Sequence, residues 1–417
     1  MESASVTSGN SISLEVVVKL AERCNINCSY CYMFNQGNTE YRARPSIMPA
    51  SVVEALARFL ANGARAIGAR RVHVVFHGGE PMMAGSRYFD EVCEVLSRAF
   101  SSDNDCLRYA MQTNATLVSP DWIEVLEKHR VGIGVSIDGP AEYHDQARRD
   151  RKGNGTHAAV VDGIRRMQGS RALSGLGALA VVNPRYSGKV VFDHLVEGLG
   201  LRSLNFLLPM ETHDSFDFEN ASGYGDYLIE VFRAWAQRGD EDVKVRFVTE
   251  ALQFLAGGAT RANARDMVAG KHIVLIVDGD GSLEANECRR GAPPSAYANV
   301  ADCTLSDFLA TEYVAELEKA GKLIPTACAG CCWANGCRGS NGLMINRFSS
   351  RAGYNNPSIF CAEIKRFYGV VAASLVHSGV SPSSIIESLN APTLGVMAQS
   401  SGQPGKRGTA GCSIVAS

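Results

Sequence analysis

Long apolar runs are absent from this chain of 417 residues. A membrane-crossing helix needs about 20 consecutive apolar residues, and no such stretch occurs. The opening segment MESASVTSGNSIS is polar and lacks the apolar centre of a signal peptide. No membrane partner is expected, and the location expected is cytoplasmic. Charge of one sign is missing as well: 41 Lys and Arg stand against 43 Asp and Glu, a net charge of −2. That balance gives no reason to expect a nucleic-acid partner. Cysteine is missing from the whole middle, with none between Cys106 and Cys288. The chain nevertheless holds 13 cysteines, and without an export signal a reducing compartment is expected. There, clustered thiols are more often metal ligands than disulfides.

The densest thiol group is KLAERCNINCSYCYMFNQGN, residues 19–38, in which Cys24, Cys28 and Cys31 are spaced C-x3-C-x2-C. A fourth ligand is lacking nearby; the next candidates, His73 and His77, lie in a separate strand-like run. A structural zinc site closes its shell with four protein ligands. Cubane iron–sulfur clusters are also normally held by four thiolates. Three thiolates on a four-iron cluster leave one iron open to another ligand. Spacing alone leaves both the open cluster and zinc standing.

Hydrophobic content of 46% and charged content of 20% describe a globular protein, long enough for one large domain and a smaller one. Short apolar or β-branched runs recur at 13–20, 71–81, 108–116, 131–140, 176–183 and 201–210, each ending in Gly, Pro, Asn or Asp or close to one. Helical spacing fills the gaps, as in MPASVVEALARFLANGARA (48–66) and SPDWIEVLEKHR (119–130). This repetition predicts an α/β fold, a partial (β/α)6 TIM barrel, with chemistry at the C-terminal strand ends. The unusual residues sit at those ends: the cysteines after the first strand, HGGEP after the second, QTNAT after the third and SIDGP after the fourth.

Each end also has a plain reading. HGGEP serves as an ordinary turn, or Gly78 and Gly79 let a ligand approach the backbone while Glu80 offers a carboxylate to an ammonium group. SIDGP is an Asp-Gly turn, or Ser136 and Asp138 bond a ribose. HDQARRDRKGNGTH (144–157) reads as a solvated charged loop, with Arg148 free to pair with a ligand carboxylate.

Together these motifs resemble the radical SAM superfamily, over nearly all of the chain up to about residue 370. The resemblance implies that Cys24, Cys28 and Cys31 hold a [4Fe-4S] cluster, with S-adenosyl-L-methionine at its open iron. It also implies that the GGEP segment (Gly78, Gly79, Glu80) meets the methionyl ammonium. Asn114, Ser136 and Asp138 would line the cofactor pocket, with Arg148 near the carboxylate and Met33 and Met210 at the adenine. One electron would cleave the sulfonium, and a deoxyadenosyl radical would take hydrogen from substrate, the cofactors supplying the hard chemistry. An electron donor such as flavodoxin or ferredoxin is then required.

CAGCCWANGC supplies Cys328, Cys331 and Cys337, and NNPSIFC adds Cys361. Alone, this pattern also fits a zinc knuckle. Behind such a barrel it resembles a SPASM domain, which implies at least one auxiliary [4Fe-4S] cluster on these four cysteines. Cys288, Cys303 and Cys332 are left over as a possible second auxiliary site. The expected domains are the barrel at 1–235, the SPASM-like domain at 236–375, and a short helix with a Gly/Ser/Ala-rich, disordered tail at 376–417.

Among SPASM enzymes, the resemblance points to maturases of ribosomally made peptides that close carbon–carbon crosslinks, including cyclophanes. Anaerobic sulfatase maturases, which make formylglycine, share GGEP, QTN-x-T and S-x-DGP. Their Asp base directly follows a cluster cysteine; here Glu287 falls at that position and Asn286 replaces the cysteine. Glu284 and Glu287 are candidate bases. The partner expected is a precursor peptide. Only about a dozen residues stand before the first strand, so the peptide is expected to dock on the barrel, on the SPASM-like domain or on a separate protein. A zinc-binding adaptor with two cysteine-rich modules is the non-enzymatic alternative.

Overall fold

A computed structural model describes residues 12–101, 106–170, 175–256, 272–285, 298–339 and 343–390. Its strands are β1 (Ile12–Ala21), β2 (Ile26–Cys28), β3 (Ala69–Gly78), β4 (Leu107–Thr113), β5 (Gly132–Ser136), β6 (Arg148–Asp150), β7 (Leu176–Val181), β8 (Ser203–Leu207), β9 (Lys244–Val245), β10 (His272–Val277) and β11 (Leu283–Glu284). Nine form one sheet in the order β11-β10-β1-β3-β4-β5-β7-β8-β9. All its neighbours are parallel except the β10–β11 pair. The six strands expected from the sequence are its centre, and the α/β fold is as read.

Helix formation follows the local signals. The helix Ala50–Ile67 starts after Pro49 and stops at Gly68, whose φ of 68° is left-handed. Its buried Val53, Leu56, Leu60 and Ala64 recur at helical spacing. They share one core with Leu14, Val16, Val18 and Leu20, the alternate residues of β1. Each such Val or Leu contributes roughly 1.5–3 kcal/mol when fully buried. The helix Pro120–Lys128 is capped by Ser119, whose side chain accepts from the Trp122 N–H.

Two differences from the sequence reading bear on the site. The second apolar run does not stay extended to residue 81: β3 ends at Gly78, and Pro81–Ala84 is a 3-10 turn capped by Glu80. The charged segment 144–157 is not wholly a solvated loop, because Arg148–Asp150 pairs antiparallel with Ile26–Cys28.

β10 adds a partner to β1 from far along the chain. Ser13 to Val18 run in register with His272 to Val277. Beyond them Lys19 pairs with Asp278 at 2.5 Å, Arg44 reaches the same carboxylate at 2.6 Å, and the Gly279 N–H donates to Glu22 at 2.9 Å. The helix Cys361–His377 packs on Ser222–Arg238 through Phe367 against Phe232, so the C-terminal segment shares the barrel's core.

Candidate active site

The cysteine loop leaves β1 at the C-terminal edge of the sheet and is tied down by backbone. Asn27 pairs with Arg149 and Cys28 with Arg148 across the β2–β6 ribbon. The Ser29 N–H donates to the Ala147 carbonyl at 3.0 Å, and Arg151 Nε donates to the Cys24 carbonyl at 2.8 Å. Asn35 closes the far side, its Nδ2 on the Cys28 carbonyl at 2.7 Å and its N–H on the Cys31 carbonyl at 2.8 Å.

Gly78 and Gly79 hold the near side. Two carbonyls of the chain itself approach their backbone closely. A Cβ on Gly78 would lie 2.2 Å from the Ala21 carbonyl oxygen, and one on Gly79 2.2 Å from that of Arg23. The Gly79 and Glu80 N–H groups bond those same two carbonyls at 2.7 and 2.9 Å. The glycine pair therefore lets β3 grip the loop that carries Cys24.

Cys24, Ile26 and Cys28 form a small buried cluster on which Cys31, Tyr30 and Phe34 pack. Burial, with the Glu80 charge next, pushes the Cys24 thiol up to about 12, and burial pushes Cys28 up to about 11. Such thiols ionise only when a metal draws the proton off. Among the described residues no group of three His, Cys, Asp or Glu side chains is drawn in around a single metal ion. Cys24, Cys28 and Cys31 are packed together on this loop, and thiolate is the donor that cubane clusters take.

The remaining expected cofactor residues surround this loop, engaged with one another. Glu80 is 1% exposed, and its carboxylate accepts from Met82 N at 3.0 Å, Thr113 Oγ1 at 2.7 Å and Asn114 N at 2.7 Å. Burial raises it to about 7. Its partners within the protein are thus two backbone N–H groups and one hydroxyl. Asp138, expected at a ribose, accepts from Arg148 Nε and Nη2 at 2.8 and 3.2 Å, from Tyr30 Oη at 2.5 Å and from Val181 N at 2.9 Å. The Arg148 charge holds its carboxyl below the usual range despite burial. Arg148, expected at a carboxylate, finds one in Asp138, and its Nη1 stands 3.9 Å from Cys28 Sγ. Asn114 Nδ2 stands 3.8 Å from Cys24 Sγ. Ser136 is bonded by Gln112 at 2.7 Å, Met33 is buried beside the loop, and Met210 follows β8 partly buried.

Tyr30 and the Lys19–Asp278–Arg44 group were not singled out in the sequence. The signal for Tyr30 was its place between two ligand cysteines. The ion group had none, because Asp278 meets Lys19 and Arg44 only in the fold.

In the C-terminal segment, Cys328 ends a 3-10 turn, Cys337 ends the short helix Ala334–Cys337, and Cys361 begins the long helix. The Cys331 N–H bonds the Cys328 carbonyl at 3.1 Å. Burial raises the Cys328 thiol, and the Cys361 and Cys331 charges add to it. Cys303 donates its thiol to the Asn299 carbonyl at 3.3 Å beside Asp307 and Asp302, and Cys332 is partly exposed. Glu284 is buried opposite Ile276 on β10, within range of the Arg44 charge. Glu287 and Cys288 lie outside the described residues, as does the tail from 391.

A parallel sheet with a three-cysteine loop at its C-terminal edge defines the class, and residues 18–172 match the sequence profile of the radical SAM superfamily. The chain carries a radical SAM domain and is an enzyme. More particularly, it is 23% identical over 377 residues to the cysteine-type anaerobic sulfatase-maturating enzyme of Clostridium perfringens, covering 87% of this chain and 98% of that one. It is 28% identical to the serine-type enzyme of Klebsiella aerogenes over 223 residues, 52% of each chain. The solved structure of native anSMEcpe with bound AdoMet and Cp18Cys peptide superposes with a TM-score of 0.72 at 21% identity, covering 88% of this chain and 98% of that one. Streptococcus suis SuiB bound to S-adenosylmethionine gives 0.56 at 14% identity, over 84% of this chain and 77% of that one. At those identities the structural likeness is one of fold. No helix among the described residues is long and apolar enough to cross a membrane.

Proposed function

We propose that this enzyme oxidises a side chain of a peptide by radical SAM chemistry, with its [4Fe-4S] cluster on Cys24, Cys28 and Cys31. The observation that carries the reading is the loop itself: three thiols packed together, Cys24 and Cys28 buried and Cys31 partly so, fastened by the β2–β6 ribbon and by the Gly78–Gly79 contact. The bound cluster and S-adenosylmethionine supply a radical that takes one hydrogen atom from substrate. The chain's own residues fix the loop, exclude water from Cys24 and Cys28, and hold Asn114 and Arg148 against the sulfurs.

Two products of the same two-hydrogen oxidation compete. Likeness over nearly the whole length of sulfatase-maturating enzymes supports formylglycine. The departure at Asn286 and Glu287 supports a carbon–carbon crosslink of the cyclophane type, between an aromatic residue and a nearby side-chain carbon. In that reading Glu284 or Glu287 would take the proton, and Cys328, Cys331, Cys337 and Cys361 would hold an auxiliary cluster able to supply an acceptor for the second electron. The peptide is a ribosomally made precursor, and a flavodoxin or ferredoxin supplies the first electron.

Coexpression with the peptide encoded beside the gene tests this by mass and by reactivity. A crosslink removes two hydrogens, leaves the product inert to hydrazide and suppresses fragments between the joined residues. A hydrazide-reactive aldehyde would assign formylglycine formation. An unmodified peptide, with no 5′-deoxyadenosine released under reducing conditions, would sink both.

A further inference from the structure

We propose that Arg148 and Asn114 set the reduction potential of the cluster by donating N–H···S bonds to two of its ligand cysteines, Cys28 and Cys24. This rests on the reading that Cys24, Cys28 and Cys31 hold the cluster. The resemblance gave both residues to the bound cofactor; their geometry gives each a contact on the protein's own sulfur.

Arg148 is 6% exposed and Asn114 5%, so neither contact competes with bulk water. The guanidinium is fixed before any cluster arrives. Nε and Nη2 form a two-point bond to Asp138, and Tyr30 lies against the guanidinium with its ring centre 5.4 Å from Cζ. What remains, Nη1, points at Cys28 Sγ. Asp138 is itself held by Tyr30 and the Val181 N–H, and the Cys28 backbone is paired to Arg148.

The Asn114 amide is oriented by its neighbours. Its Oδ1 accepts from Thr116 N at 3.0 Å and from Thr116 Oγ1 at 2.6 Å, which places the NH2 group on the opposite side. One amide hydrogen goes to Asn25 Oδ1 at 2.9 Å and the other faces Cys24 Sγ at 3.8 Å.

Reduction adds one electron, and the added negative charge is shared with the thiolate sulfurs. A donor aimed at such a sulfur stabilises the reduced form more than the oxidised one, which raises the potential. Arg148 adds a buried positive charge to that effect, partly offset by Asp138. Both are positioning residues in this role.

The test is a dithionite-poised potentiometric titration of the full-length, anaerobically reconstituted protein, followed by EPR. The relevant signal is the one that a Cys24→Ala variant lacks. Asn114→Leu keeps the side-chain volume and removes both amide donors. It is expected to retain its iron and to be at least tenfold harder to reduce, a shift of 59 mV to more negative potential for a one-electron couple. Arg148→Met should shift further in the same direction. A midpoint unchanged in an iron-replete Asn114→Leu protein overturns the proposal. That variant also decides the matter if Arg148→Met fails to fold, since leaving Asp138 buried and unpaired is costly. The potential is read without S-adenosylmethionine, so a cluster that ignores the cofactor would count against the proposed function and leave this result legible.

Discussion

The two cysteine groups of this protein are built differently. Cys24 and Cys28 are buried, flanked by a strand pair, and approached by an arginine and an asparagine from distant segments. Of the four C-terminal cysteines only Cys328 is buried, and the group stands on a 3-10 turn, a four-residue helix and the first residue of a long one. The first group has a defined second layer of hydrogen bonds on its sulfurs; the second is gathered by short local turns. A site whose ligands are oriented by buried neighbours is suited to controlling where an electron goes.

The sharpest break of this comparison removes one group at a time. Changing Cys24, Cys28 and Cys31 together to Ala should abolish 5′-deoxyadenosine release while iron persists at the C-terminal group. Deoxyadenosine formation by the triple variant under reducing conditions would refute the assignment. Replacing Cys328 and Cys331 by Ala should do the reverse: product falls below detection, but some uncoupled deoxyadenosine still forms. Full product from that variant would remove the C-terminal cluster from the reaction.

Glu80→Gln probes the layer beneath the first group. Glu80 titrates at about 7 in the fold against an ordinary value of 4.5, so the folded state holds the proton more tightly than the unfolded chain. Its contribution to stability is present below the lower value and is lost as pH rises through the upper one. Gln does not ionise, so the fall in urea midpoint between pH 5 and 8 should shrink in the variant. The Asn114 N–H also loses its carboxylate acceptor, costing about 1–3 kcal/mol. An identical pH slope in both proteins would show that Glu80 does not carry it. The smallest effect is expected from Cys332→Ser, which should leave iron per chain unchanged if the C-terminal group holds one cluster on the other four thiols. A loss of several irons would put a second cluster there.

Legibility in the sequence followed range. The apolar run SLEVVVKL and its five counterparts, repeated between helically spaced segments, announced the sheet, because composition and repetition need no distant partner to be seen. The thiol spacing at 24–31 was equally local. What stayed hidden was pairing across distance. The RRD triplet of Arg148–Asp150 looks like a charged loop until Ile26–Cys28 lies beside it. HIVLIV was not recognised as a neighbour of β1. For Asp138 and Arg148 the residue types were informative, but nothing local showed that they also bind each other. The Gly-Gly pair marked a close approach correctly and left open what approaches.

The partnership of β1 with β10 has a consequence for how the protein is made. Glu22 and Gly279 are 257 residues apart, and a ribosome adding about 5–20 residues per second needs roughly 13–50 s to bring the second within reach of the first. Throughout that interval one edge of β1 lacks the strand that later covers it, and the segment leading into Cys24 lacks its anchor at Asp278. Iron delivered during synthesis would meet thiols on an unfinished support, whereas iron delivered after release would meet a seated loop. The distance between two strands thus sets how long the cysteine loop waits for its full support.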